Sequence, residues 1–103
     1  MSTGKIAVQA AHAAVTGSEL AKERHYDWWK KWYEEGQCKI VVKVDSEQIL
    51  LDIKEEAEAE NLPTDLIKDK GLTEVPPGTT TCLIIGPAPS KNVDKITSKF
   101  SLL

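Results

Sequence analysis

The 103-residue chain holds 41% hydrophobic and 28% charged residues, the balance of one globular domain, residues 1–103, with a single core. Its longest strongly apolar run, residues 82–85, is far shorter than the ~20 residues of a membrane-spanning helix, and polar residues interrupt the N-terminal run that a signal peptide would need. We therefore expect a cytoplasmic protein without membrane association. The formal net charge of -3 argues against indiscriminate binding of nucleic acid, so any RNA partner must be contacted by clustered lysines.

Cysteine and histidine usage gives no sign of a metal centre. Cys38 and Cys82 lie far apart without CxxC spacing, and Cys82 sits in an apolar, strand-like segment where a free thiol acts as a small hydrophobic group. His12 and His25 lack ligand spacing to each other or to the cysteines. We therefore predict no disulfide, no metal and no cofactor.

The first predicted element is a helix from Lys5 to about Leu20. This segment is rich in alanine, lacks proline and follows Ser2, Thr3 and Gly4, which favour a capped start. Helical spacing gathers four polar residues into one stripe, made of Lys5, Gln9, His12 and Thr16. The many alanines suit a helix that packs closely against a sheet, with the polar stripe along its margin.

The next segments alternate between helix and strand. Residues 26–35 predict a second helix that ends at Gly36. The β-branched run KIVVKV, residues 39–44, predicts a strand. Asp45, with a glutamine three residues later, resembles a capping box and opens a third predicted helix that ends near Glu60.

The last third of the chain predicts strands at residues 64–68 and 79–85, with turns at 69–71 and 76–78 between them. Gly86 and two prolines end the second strand, and residues 92–97 predict a short helix. Because helical and strand signals alternate, we predict an α/β fold, a single small domain in which helices pack on a mixed β-sheet.

Lys5 is mildly anomalous for its position. A helix macrodipole disfavours a cation in the first turn by ~0.3–1 kcal/mol. One interpretation is an electrophilic group beside free backbone N–H donors, which together bind an anion. The other is an exposed lysine on a polar stripe. His12 is equally open, because it is either a general base or a hydrogen-bonded helix histidine.

The segment DKGLTEVPPGTTT, residues 69–81, gathers a carboxylate, several hydroxyls and turn-forming residues. Loops between strands are where functional residues concentrate. On sequence chemistry alone, Asp69 is either a turn aspartate or a catalytic carboxylate, and the turn interpretation is the commoner one. Thr73 and Thr79 are equally ordinary in such a segment.

Five blocks of the sequence, in order, resemble the archaeal and eukaryotic class of peptidyl-tRNA hydrolase. They are GKIAVQAAHAAV from residue 4, EGQCKIVVKV from residue 35, DKGLTEVPPGTTT, IIGPAP from residue 84 and VDKITSKFSLL from residue 93. Together the blocks cover nearly the whole chain. The resemblance implies an enzyme that cleaves the ester between a stalled peptide and the 3′-terminal ribose of its tRNA, without a cofactor.

The resemblance also marks the site residues. It implies catalytic roles for Lys5, Asp69, Thr73 and His12, and substrate-binding roles for Gln9 and Thr79. Lys70 is added as a substrate-binding candidate because its charge could contact a phosphate. As a hypothesis, Asp69 orients or deprotonates a water, Lys5 stabilises the developing negative charge, and Thr73 holds the water or the substrate. His12 positions either the lysine or the terminal nucleotide.

Two departures from the family pattern accompany the resemblance. The usual D-A-G turn is D-K-G here, so Lys70 adds a charge beside Asp69. Relatives carry a β-strand and a loop before the G-K segment, whereas this chain begins three residues before Gly4. We therefore expect either a truncated start or a sheet that lacks the N-terminal strand, and an unpaired strand edge would favour a homodimer.

The expected partner is peptidyl-tRNA, bound through lysines that contact phosphates. The candidates are Lys30, Lys31, Lys39, Lys43, Lys91, Lys95 and Lys99. Trp28 or Trp29 could stack on a base, although tryptophans at helical spacing are more often in the core. Two rival functions stay open: an inactive RNA- or protein-binding module of the same fold, and a structural dimer built on the open sheet edge.

Overall fold

A computed structural model describes residues 2–68 and 80–103 and gives a single small α/β domain. The described residues form four helices and two strands: α1 Thr3–Arg24, α2 Tyr26–Glu34, α3 Glu47–Ala59, β1 Thr64–Lys68, β2 Thr80–Ile85 and α4 Ser90–Thr97. The two strands are antiparallel, with Thr64 opposite Ile85 and Lys68 opposite Thr80. Within these ranges no helix is both long enough and apolar enough to cross a bilayer.

Helix α1 begins two residues earlier and ends four residues later than predicted. The Ser2 hydroxyl caps its start by accepting a hydrogen bond from the Lys5 N–H. The added residues, after Leu20, include good helix formers. Lys22 and Arg24 in the last turn also complement the negative end of the helix dipole.

The buried face of α1 differs from the predicted one. It is made of Lys5, Gln9, Ala13, Gly17 and Ala21, whereas His12 is exposed and Thr16 is half-buried. Apart from Lys5 and Gln9, this face consists of the smallest side chains of the helix and includes none of its large apolar ones. Lys5 and Gln9 lie on that buried face and not on a polar margin.

Gly17 is where α1 and β2 come closest. A Cβ atom at this position would lie 2.6 Å from the carbonyl oxygen of Gly86 and 2.6 Å from the Ile84 side chain. Real Cβ atoms do not approach backbone so closely, so only glycine allows this packing distance. Gly86 itself has a φ of +93°, a left-handed conformation that favours glycine.

The opposite face of the sheet covers the hydrophobic core. Four buried residues form its centre: Ile53, Ala57, Leu62 and Ile96. Leu83 and Ile85 of β2 pack against them, as do Trp28 and Phe100. Since Ile84 of the same strand meets α1, the sheet lies between α1 on one side and α3 with α4 on the other.

The start of α3 corrects the predicted cap. Ser46, not Asp45, is the N-cap residue, and its hydroxyl accepts from the Ile49 N–H at 3.2 Å. Gln48 does not reach back to close a capping box but donates to Asp52, one turn ahead. Serine and aspartate are comparable caps, so the sequence alone did not decide between adjacent candidates.

The strand predicted over residues 39–44 is wrong. Only Val42 forms a β-bridge there, with Leu102, supported by hydrogen bonds from Lys43 N–H to Ser101 and from Leu103 N–H to Val41. Ile40 and Val41 are 69% and 44% exposed. Their β-branched side chains favour a strand only when a partner strand is present, and the last three residues offer too short a partner.

The remaining predictions are close to the structure. The strand at 64–68 is confirmed, the strand predicted at 79–85 is confirmed over its described residues, Thr80–Ile85, and α4 begins at Ser90, two residues earlier than predicted. The predicted turns at 69–71 and 76–78 lie outside the described residues. The lack of an N-terminal strand stays a prediction, because the described chain begins at residue 2.

The contact at Gly17 can be tested by adding one methyl group. We expect Gly17→Ala to lower the free energy of unfolding by roughly 1–3 kcal/mol, the usual cost of overpacking, because the Gly86 backbone must move. Gly4→Ala is the matched control, since a Cβ there has no atom within 4 Å. Urea unfolding of both variants gives the comparison, and equal stabilities would contradict the close packing.

Candidate functional site

Lys5 stands in the first turn of α1, with its side chain buried. The residue is 6% exposed, and Gln9, one turn later on the same face, is 7% exposed. Neither residue is without an interaction partner. The interpretation of Lys5 as an exposed surface lysine is therefore wrong, and the polar pair of Lys5 and Gln9 lies between helix and sheet.

The position of α1 along β2 locates this pair within the fold. The Cys82 thiol donates to the Gln9 carbonyl oxygen at 3.8 Å, and Gly17 lies against Ile84 and Gly86. The helix therefore runs in the same direction as the strand. Lys5 is one turn before Gln9, a distance of ~6 Å, which equals about two strand residues and brings it level with Thr80.

Lys5 thus lies at the end of the sheet where β1 ends and β2 begins. Thr80 is paired with Lys68, and the intervening sequence, 69–79, contains Asp69, Lys70, Thr73 and Thr79. Those four predicted site residues lie outside the described residues. The structure describes the two strand ends that flank this segment, and both lie beside the buried lysine.

The structure separates His12 from the buried pair. Its side chain is exposed, three positions after Gln9 along the helix. Of the predicted residues that the structure describes, it therefore brings Lys5 and Gln9 together at the buried face and leaves His12 on the open surface beside them. A role for His12 in holding Lys5 in place receives no support from this arrangement.

Burial makes the position of Lys5 costly. Removing a charge from water costs several kcal/mol unless it is compensated, and the positive end of the helix dipole opposes it further. No acidic residue lies in the first turn of α1, and the first carboxylate after Thr3 is that of Glu19. Any carboxylate that compensates Lys5 must therefore come from outside the first four turns of α1.

The described residues hold no group of histidines, cysteines and acidic residues that could bind a metal ion. Cys38 and Cys82 are both free thiols. Cys38 is exposed, whereas Cys82 is half-buried beneath α1. The described residues contribute an ammonium group, an amide and backbone N–H donors to the site.

The tryptophans divide between two environments. Trp28 packs against the core and stacks on His25 with ring centroids 3.9 Å apart. Trp29 instead lies beside α1, where its Nε1–H donates to the Ser18 hydroxyl at 2.9 Å. Sequence reasoning missed the two neighbours of Trp29, Tyr26 and Tyr33, although their spacing along the helix signals one shared face.

The predicted phosphate-binding lysines are all exposed. Lys95 forms an ion pair with Glu60 at 3.2 Å, and Lys39 donates to the Gln37 carbonyl oxygen and lies 5.3 Å from the centre of the Trp32 ring. These lysines are spread over two helices, the segment between α2 and α3, and the chain end, so they do not define one basic patch by themselves.

The fold and the buried lysine define a class, that of small α/β proteins able to stabilise negative charge at a helix start beside one end of a sheet. Residues 1–103 match the family described as Peptidyl-tRNA hydrolase PTH2. Two relatives are named peptidyl-tRNA hydrolase. Over 103 residues, the one from Thermococcus sibiricus is 52% identical to this chain and the one from Thermoplasma acidophilum is 44% identical. These alignments cover 100% of this chain and 87% and 88% of the relatives. The chain belongs to the PTH2 family of peptidyl-tRNA hydrolases.

Proposed function

We propose that the protein hydrolyses the ester bond between peptide and tRNA by direct attack of water, and that Lys5 stabilises the oxyanion that forms. The observation that carries this proposal is the burial of Lys5 in the first turn of α1, at 6% exposure. Its family membership names the reaction. The buried ammonium supplies a physical means of accelerating it.

Ester hydrolysis develops negative charge on the carbonyl oxygen as water attacks. A fixed cation is worth most to that charge where water is excluded and no reorganisation is needed. The N–H groups of Thr3 and Gly4 have no acceptor within the helix. They point out of the helix start, where the positive end of the dipole also attracts an anion. The same features that make Lys5 unfavourable for stability make it effective for an oxyanion.

Asp69 is the proposed partner that orients or deprotonates the water. It directly follows Lys68 in sequence, and Lys68 pairs with Thr80 at the level of Lys5 along the sheet. Chain continuity thus supports a position near the lysine. Thr73 is proposed to hold the water or the substrate, and no covalent intermediate is needed.

Four further residues are proposed to bind the substrate. Gln9 shares the buried face with Lys5, which suits an amide that hydrogen-bonds the polar groups around the ester. His12 is exposed, which favours contact with the terminal nucleotide over contact with the lysine. Thr79 is proposed to contact the ribose, and Lys70 is proposed to contact a phosphate.

Removing either charge should slow the chemical step. We expect Lys5→Met and Asp69→Asn to reduce kcat by roughly 10²–10³, the typical loss when a stabilising or proton-transferring group is removed. Lys54→Met is the matched control, because Lys54 is a half-buried lysine that pairs with Glu58 on α3. The assay is hydrolysis of an N-blocked aminoacyl-tRNA, with circular dichroism to verify folding. A folded Lys5 or Asp69 variant with normal turnover contradicts the assignment.

Substrate binding is proposed to rest on phosphate contacts by exposed lysines. If so, the apparent affinity for the tRNA must fall as salt rises, with a slope in log–log form of about -0.7 for each phosphate contacted on a single strand. Measuring KM for the N-blocked aminoacyl-tRNA across a salt series gives the slope. An affinity that does not change with salt would exclude electrostatic binding of the tRNA.

We also infer that the protein acts in the cytoplasm, where peptidyl-tRNA forms during translation, and that two copies pair through the exposed edge at the Val42–Leu102 β-bridge. Four apolar residues there are strongly exposed: Ile40, Val41, Leu102 and Leu103. Exposed apolar strand edges favour association with another chain.

The pairing of two copies can be measured directly. We expect sedimentation equilibrium to show a dimer, and Ile40→Lys to shift it to a monomer, because a charge on the edge opposes pairing. Val15→Lys is the control, since Val15 is similarly exposed at 64% but lies on α1. A monomeric wild-type protein, or a dimer that Ile40→Lys leaves intact, would rule out pairing through this edge.

A further inference from the structure

Three aromatic side chains of α2 form an exposed surface that the catalytic proposal does not use. Tyr26, Trp29 and Tyr33 occur at positions i, i+3 and i+7, which share one face of a helix. The Trp29 ring lies between the two tyrosine rings. Its centroid is 5.5 Å from that of Tyr26 and 5.0 Å from that of Tyr33. We call this surface the aromatic face.

The aromatic face is fixed in place yet open to solvent. The Trp29 indole is held by its hydrogen bond to Ser18, and the Lys22 ammonium lies 4.8 Å from the centre of its ring. Tyr26 and Tyr33 are 52% and 50% exposed. Because the two tyrosine rings are half exposed and the Trp29 ring between them is held in place, the aromatic face is preorganised to stack on a planar ligand.

Positive charge borders the aromatic face. Lys22 covers Trp29 from α1, and Lys30, four residues after Tyr26, lies along the edge of the same helical face. The acidic residues of α2 nearest to it, Asp27 and Glu34, follow Lys30 around the helix and lie farther from the rings by helical spacing. Aromatic rings edged by lysines match a nucleic acid, whose bases stack and whose phosphates pair with cations.

The exposed side of α1 runs from the level of Lys5 along the helix to the aromatic face. Ser18, which anchors Trp29, is thirteen residues after Lys5, a distance of ~20 Å along the helix. No acidic residue occurs between Thr3 and Ser18, although the chain has 16 acidic residues in all. A polyanion that leaves the site along this side of α1 therefore meets no carboxylate from this helix before it reaches Trp29.

We propose that the aromatic face stacks on unpaired bases of the substrate tRNA, in the single-stranded 3′ region and a few nucleotides before the one that carries the ester. This inference rests on the proposed function, since it takes the ester to lie at Lys5. It assigns Tyr26, Trp29 and Tyr33 to substrate binding, with Lys22 and Lys30 contacting the adjoining phosphates. Stacking is tolerant of base identity, which suits an enzyme that must accept many tRNAs.

The test replaces the two exposed tyrosines together. Tyr26→Leu with Tyr33→Leu removes both rings but keeps apolar bulk, and Tyr26→Phe with Tyr33→Phe keeps both rings. For an N-blocked aminoacyl-tRNA we expect the leucine pair to raise KM at least about fivefold, the minimum for one lost base stack, with kcat near the wild-type value. The phenylalanine pair should restore a KM close to wild type.

A short substrate separates stacking from damage to the catalytic site. The N-blocked aminoacyl ester of adenosine carries only the terminal nucleoside, so the leucine pair should leave its hydrolysis unchanged. An equal loss on the short ester, an equal loss in both tyrosine pairs, or an unchanged KM for the full substrate would overturn the assignment. If sedimentation shows that the leucine pair disrupts a dimer while KM stays constant, the face is a protein interface instead.

Failure of the hydrolase proposal gives a different result. If the wild-type protein hydrolyses neither substrate, the proposed function is wrong, and the aromatic face is then judged by binding alone. Fluorescence anisotropy of a labelled RNA hairpin with a single-stranded CCA 3′ end should still show at least about fivefold weaker binding by the leucine pair. Equal binding by wild type and both variant pairs would overturn the inference on the aromatic face as well.

Discussion

The close contact between α1 and β2 is the constraint on which the rest of the structure depends. Gly17 permits it, since any Cβ there would collide with Gly86 and Ile84, and the small residues Ala13 and Ala21 extend the same contact along the helix. Because a helix is rigid over its length, the contact of Gly17 with β2 also fixes where every other residue of α1 lies along the strand. The position of Lys5 at the sheet end follows from a contact made twelve residues later.

This arrangement explains how a lysine can be buried where stability disfavours it. Burial and the helix dipole both act against the ammonium, and small side chains farther along α1 supply the packing that holds the helix down despite that cost. Functional groups commonly occupy such locally unfavourable positions, because a preorganised charge must exist before the reaction begins.

The success of sequence reasoning depended on how local each signal is. The strand at 64–68 and the capped start of α1 are local patterns, and the sequence predicted both. The strand predicted over 39–44 failed because pairing depends on a distant partner. The burial of Lys5 was also missed, since a face built from alanine and glycine carries no apolar periodicity. Asp69 was marked by family resemblance alone, because its turn chemistry is ordinary.

The distribution of charge gives α1 a second role beyond holding Lys5. A protein with a net charge of -3 repels a polyanion at long range, so a productive encounter requires a local surface free of carboxylates. The stretch from Thr3 to Ser18 provides one, bounded by Lys5 at its start and by Lys22 and Trp29 at its end. The first acidic residues of α1, Glu19 and Glu23, come only after this stretch. If Lys5 carries the proposed catalytic charge, the element that positions it also favours the approach of the tRNA along this side of the helix.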